Sequence, residues 1–120
     1  MGQRIFVFGS NREGRHGMGA ALCALRERGA VYGQPEGLQG RSYAIVTKEL
    51  RRGWPVVRHQ EVKEGVSRFL AFAREHPEMT FQMTRIGCGL AGFEDREIAP
   101  LFANAPGNVC LPPEWCDIFF

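Results

Sequence analysis

A chain of 120 residues, 44% of them hydrophobic, fits one compact domain over residues 1–120 and can form a core without disulfide staples. Its formal charge of +2 is too small to argue for a nucleic-acid partner or an anionic membrane surface. No apolar run approaches the about 18 residues a membrane-spanning helix needs, which excludes a membrane partner of that kind.

The predicted elements alternate. Arg4 to Phe8, "RIFVF", reads as a short buried strand. A basic, glycine-rich loop follows, with Gly9, Gly14, Gly17 and Gly19 among Asn11, Arg12, Arg15 and His16. From Gly17 to about Arg28, Met18, Ala21, Leu22 and Leu25 recur at helical spacing, and Gly29 ends the helix. Val31 to Gly40 is expected to be loop throughout, broken by Gly33, Pro35, Gly37 and Gly40.

Ser42 to Lys48, "SYAIVTK", is rich in β-branched and aromatic residues and predicts a second strand. After the polar turn "RRGWP", a long amphipathic helix is expected from about His59 to His76. Its stripe is Val62, Val66, Phe69, Leu70 and Ala73, and Pro77 stops it. Met79 to Gly87 reads as a third strand, followed by a second glycine loop, "GCGLAGF", Gly87 to Phe93. Asp95 to Phe102 has a helical pattern that Pro100 must shorten or kink. Asn108 to Pro112 predicts a fourth strand, and the aromatic tail "EWCDIFF" is expected to pack back on the domain.

This β-α-β-α-β-α-β order implies a mostly parallel sheet covered on both faces, a three-layer α/β/α sandwich. In such sheets ligands bind beyond the carboxyl ends of the strands. Both glycine loops fall at strand carboxyl ends, and each opens toward a helix. Glycines let backbone N–H groups approach an anion, and a helix N-terminus adds free N–H groups and partial positive charge. Neither loop is a Walker A motif, because no Gly-Lys-Ser/Thr follows. Gly87, Gly89 and Gly92 do spell G-x-G-x-x-G. They sit after the third strand, without an acidic partner about 20 residues on in a following strand, so the Rossmann context is missing.

These stretches together resemble a small, divergent macro domain, the α/β/α module that binds ADP-ribose. "VFGSN" is similar to that family's strand ending in an Asn-containing loop. "GRHGMGAALCALRERGA" resembles its glycine-rich entry to a helix, "SYAIVTK" the strand that follows, and "TRIGCGLAGF" its second phosphate-embracing loop. The resemblance spans about residues 5 to 103. It implies an ADP-ribose-type or related nucleotide diphosphate ligand, held by Gly9, Ser10, Asn11, Gly17, Met18, Gly19 and by Gly87, Cys88, Gly89, Leu90, Ala91, Gly92 and Phe93. Asn11 and Phe93 would meet the distal ribose, and the two glycine loops would wrap the diphosphate. The family's adenine-contacting Asp has no counterpart. Ala20 and Ala21 stand where some family hydrolases carry an acidic residue. Hydrolysis of an ADP-ribosyl bond would then fall to Asn11, with His16 or Asp95 helping a water. The alternative is a non-catalytic sensor or binding module for a nucleotide metabolite.

The remaining candidates each have a plainer reading. His16 is either a general acid or base facing the ligand or an exposed loop histidine. Cys88, between two glycines, has the setting of a nucleophile, but a small buried residue in a tight turn is favoured. Lys48, at the end of the second strand, could face the ligand, with a solvated lysine favoured; the turn holding Arg51, Arg52, Trp54 and Arg58 could contact nucleic acid, with a solvated turn favoured. The four cysteines form no Cys-x-x-Cys pair, so neither a zinc site nor another cofactor is expected. "MGQRIFVFGSN" lacks a signal-peptide pattern, so reduced thiols and a cytoplasmic location are expected. Trp115, Phe119 and Phe120 read as core cover or as a homodimer patch.

Overall fold

The computed structural model describes the backbone of residues 3–119, and the side chains of these apart from 117 and 119. Strand β1, Gln3–Asn11, lies at the centre of a five-stranded sheet. Its alternation sorts the two cores. Ile5 and Val7 point into one and Phe8 into the other. Helix α1, Gly19–Glu27, follows β1 and buries Ala21 and Ala24 against the Phe8 face. The small residues Ala21, Ala24, Ala30 and Ala44 let α1 sit close to the sheet, with Phe8 filling the space between.

Strand β2, Gly37–Gln39, pairs antiparallel with β3, Ser42–Lys48, in the register Leu38 to Tyr43. This corrects the expectation that Val31 to Gly40 is all loop. Three residues between glycines carry no readable alternation, and the hairpin is set by its turn. Gly40 has φ +61, and a Cβ there would lie 2.6 Å from the carbonyl oxygen of Gly29, so only glycine fits.

Helix α2, His59–Glu75, crosses the opposite face and buries Val62, Val66, Phe69, Leu70 and Ala73. Phe69 lies between Tyr43 and Phe81, with ring centroids 4.9 and 5.2 Å away. Truncating such a fully buried ring costs about 3–5 kcal/mol. The Glu61 carboxylate accepts the backbone N–H of Arg58 at the start of α2.

Strand β4, Met79–Met83, is shorter than expected. Thr84 makes the last bond to β1, its backbone N–H and hydroxyl both donating to the Val7 carbonyl, and the chain then turns, with the Ile86 N–H on the Thr84 carbonyl and the Cys88 N–H on the Arg85 carbonyl. Helix α3, Asp95–Ile98, passes into a 3-10 turn, Ala99–Phe102, where Pro100 removes a helical donor, as the sequence requires. Strand β5, Val109–Cys110, is only two residues long. After a 3-10 turn at Pro113–Trp115, helix α4, Cys116–Phe119, ends the described chain. The tail does fold back: Trp115 is fully buried, its ring 5.4 Å from that of Phe102. The Phe119 side chain and Phe120, invoked for a homodimer patch, lie outside the described residues.

The sheet order is β2-β3-β1-β4-β5, and every pairing except β2 with β3 is parallel. The chain leaves β1 toward β3 and leaves β4 toward β5, on the opposite side. The strand order therefore reverses between β1 and β4, the place where such sheets leave a crevice. No helix among the described residues is long and apolar enough to cross a membrane.

Candidate ligand-binding site

A cavity of about 580 Å³ opens at this reversal, beyond the carboxyl ends of β1, β3 and β4. That volume lies within the range of small-molecule sites. Its floor is Gly9, where the strands come close. A Cβ there would lie 3.1 Å from Thr47 Oγ1 and 3.4 Å from the Gly87 nitrogen. Thr47 is skipped in the β1–β3 register, so Ser10 faces Val46 and Asn11 faces Lys48. The Thr47 hydroxyl donates to the Ser10 carbonyl.

The first glycine loop is tied down by Asn11. Its Oδ1 accepts the Arg15 backbone N–H at 2.9 Å, and its Nδ2 donates to the Arg15 carbonyl at 2.8 Å. Asn11 borders the cavity, but its amide shapes the loop from Asn11 to Arg15. Ser10, beside it, is buried, and its hydroxyl donates to the Asn11 carbonyl.

His16 is placed differently from either expectation. It is fully buried, neither exposed nor among the residues lining the cavity. Its ring stands edge-on to Phe8 at 5.1 Å, and Nε2 lies 3.0 Å from Gln39 Oε1. Gln39 Nε2 donates to the carbonyls of Gln34 and Gly37, so Oε1 is the atom facing His16 and Nε2 is assigned the proton. The loop turns this imidazole inward to fill the space over Phe8, which removes it from proton transfer at the cavity.

Helix α1 begins at the cavity without a cap. Met18 is extended, and neither a capping side chain nor an acidic residue in the first turn meets the free N–H groups. The first helical bond runs from Leu22 N–H to the Met18 carbonyl, so the N–H groups of Gly19, Ala20 and Ala21 have no partner within the helix. These three residues, with Gly17 and Met18, line the cavity. Gly19 has φ +57, a conformation that suits glycine.

The second loop contributes Gly87, Gly89, Leu90 and Ala91 to the wall. Phe93 stands behind it. Its N–H donates to the Gly87 carbonyl, and its ring occupies the space where a Gly87 Cβ would point. Phe93 and Gly92 thus back the loop and are absent from the lining. Cys88 also turns away, its thiol 3.4 Å from the Ile86 carbonyl. Burial, then hydrogen bonding to Asp95, pushes this thiol up to about 12, which suits the buried-residue reading and not a nucleophile.

Asp95 lies outside the cavity lining as well. Its carboxylate takes both arms of Arg85 and the Trp115 Nε1–H at 2.7 Å. The Arg85 guanidinium foremost holds it down to about 2. Asp95 thereby positions Arg85, which does line the cavity.

Several lining residues escaped the sequence reading. Lys48 borders the cavity, the less favoured of its two readings. Thr47, Thr84, Arg85, Tyr32 and Leu50 join it. The available signal was position: Thr47, Lys48, Thr84 and Arg85 stand where β3 and β4 end. Arg15, noted as a neighbour of the loop, is a third basic side chain in the wall. Arg15 pairs with Glu13, and Arg85 with Asp95. Lys48 has no ion pair or side-chain hydrogen bond among the described residues, and no described lining residue is a carboxylate. Three cations, one uncapped helix end and no acid make a wall suited to negative charge. Among the described residues no group of His, Cys, Asp or Glu converges as a metal site.

Fold and site together define an α/β protein of mostly parallel sheet with a basic, glycine-walled cavity at its strand-order reversal. Two solved structures of proteins from Bacteroides thetaiotaomicron share this fold. One, described as a protein of unknown function, superposes with a TM-score of 0.61 at 20% identity, over 88% of this chain and 81% of its own. The other gives 0.60 at 19% identity, over 88% and 82%. At these identities the likeness concerns the fold alone. No protein-family model and no curated protein matches the sequence.

Proposed function

We propose that the cavity binds an ADP-ribose-type or related nucleotide diphosphate, in the way the sequence resemblance to macro domains implies. The observation that carries this reading is the wall itself: Arg15, Lys48 and Arg85 converge with the uncapped N-terminus of α1, and no carboxylate opposes them among the described lining residues. A diphosphate lying between Gly17–Gly19 and Gly87–Ala91 would meet backbone N–H groups together with Lys48, unpaired among the described residues, and with Arg15 and Arg85, which their own carboxylate partners hold in the wall.

Binding without hydrolysis is the better-supported form. His16 and Asp95, the candidates for activating a water, are both committed to other partners and stand outside the lining. Calorimetric titration of ADP-ribose tests the reading, with Lys48→Met as the decisive variant. Lys48 has no ionic partner to lose, so the variant keeps the stability of the parent. Losing one charge-assisted contact worth about 1.5–3 kcal/mol weakens binding roughly 10- to 100-fold. No heat at millimolar ligand, or equal affinity in Lys48→Met, sinks the proposal. Release of ADP-ribose from a modified protein by the wild-type chain would restore the hydrolytic reading.

A further inference from the structure

The cavity has a second chemical character that phosphate binding leaves unused. Nine large apolar side chains among the described residues are exposed, and four of them, Met18, Tyr32, Leu50 and Leu90, stand around this one opening. Their exposures are 66, 59, 40 and 65%. Scattered apolar residues need no explanation, but a cluster at the mouth of a cavity marks a surface that a ligand covers. An inorganic anion would leave it wet. A ligand carrying its phosphates on a flat, weakly polar ring would cover it, with the Tyr32 face and the Met18 thioether both suited to an aromatic partner.

The same rim offers little with which to read the edge of such a ring. The Asn11 amide is engaged on both sides with Arg15. The hydroxyls of Thr47 and Thr84 donate to the carbonyls of Ser10 and Val7. With Arg15, Lys48 and Arg85 assigned to the phosphates, Tyr32 remains among the lining side chains, and a phenol both donates and accepts, so it meets the adenine amino group and the guanine carbonyl equally.

We infer that the ligand is a purine nucleoside diphosphate, or a conjugate of one, whose ring lies on the apolar rim around Tyr32 and is held without discrimination between adenine and guanine. This rests on the reading of the cavity as a nucleotide diphosphate site and adds the place of the ring on the apolar rim and the missing base selectivity.

Titrations with pyrophosphate, ADP and GDP, on the wild type, Tyr32→Ala and Leu90→Ala, separate the two levels. ADP and GDP are expected to agree within fivefold, and each to bind at least fivefold more tightly than pyrophosphate. Tyr32→Ala and Leu90→Ala should weaken both nucleotides alike and leave pyrophosphate unchanged. Both side chains are exposed, so the variants keep the fold. A larger gap between ADP and GDP overturns the absence of base selectivity. Pyrophosphate binding as tightly as the nucleotides, or nucleotide affinity unmoved in both variants, overturns the ring site while the diphosphate reading stands. Failure of all three ligands to bind the wild type removes the diphosphate site and this inference with it.

Discussion

Replacing Trp115 with Phe tests how the C-terminal segment supports the cavity. The indole is fully buried against Phe102, and its Nε1–H donates to Asp95 Oδ1 at 2.7 Å. The variant keeps most of the ring but loses that donor. Hydrogen bonds to charged groups contribute about 1.5–3 kcal/mol. The Asp95 side chain is 27% exposed and keeps Arg85, so water takes the vacated acceptor and the lower end applies. With the small void left by the missing ring atoms, the total comes to about 2 kcal/mol. For a chain of 120 residues this lowers the melting temperature by about 8 °C. Far-UV circular dichroism during heating and in urea reads it directly. A loss below about 0.5 kcal/mol would mean that the indole bond is not anchoring the tail, and the argument would be wrong.

Other outcomes follow from the same contacts. Glu49 is held down to about 2 chiefly by Arg51, and Asp95 to about 2 chiefly by Arg85. Both carboxylates ionise more readily folded than unfolded, so their contribution is complete above about pH 4.5 and drains away as pH falls toward 2. The urea midpoint should drop over that window, and a flat profile would contradict the pairing. Gly19→Ala should cost about 1–2 kcal/mol for its left-handed backbone. Gly17→Ala, with no positive φ and nothing within 4 Å of its Cβ, is the matched control and should be nearly neutral. A thiol reagent near neutral pH should modify exposed Cys110 and Cys116 well before Cys88; early loss of Cys88 would overturn its assignment as a half-buried, protonated thiol.

Much of the architecture was legible because its signals are local. Ser42–Lys48 is a strand by residue type alone, and the stripe from Val62 to Ala73 with Pro77 beyond it fixes α2 closely. The placement of both glycine loops at strand ends was readable for the same reason. What escaped was set by contacts between distant segments. β4 gives way to turns that close on Thr84 and Arg85 right after its last bond to Val7. β2 forms because Gly29 and Gly40 meet. The site suffered most from side-chain direction, which sequence does not encode. Phe93, Cys88 and His16 are neighbours of the right glycines, but all three turn away from the cavity. Lys48, at the end of β3, and Arg85, just beyond β4, on either side of β1, line it.

The guanidinium of Arg12 has a consequence for how the cavity behaves. It donates to Glu49, to the carbonyls of Pro55 and Val56, and to Glu61 at the start of α2. A segment rich in glycine is therefore fastened to the connection between β3 and α2 and to the longest helix. These contacts tether the loop at one point to the segment after β3 and to the first turn of α2. Amide exchange around Asn11 to Arg15 should follow the opening of that tether.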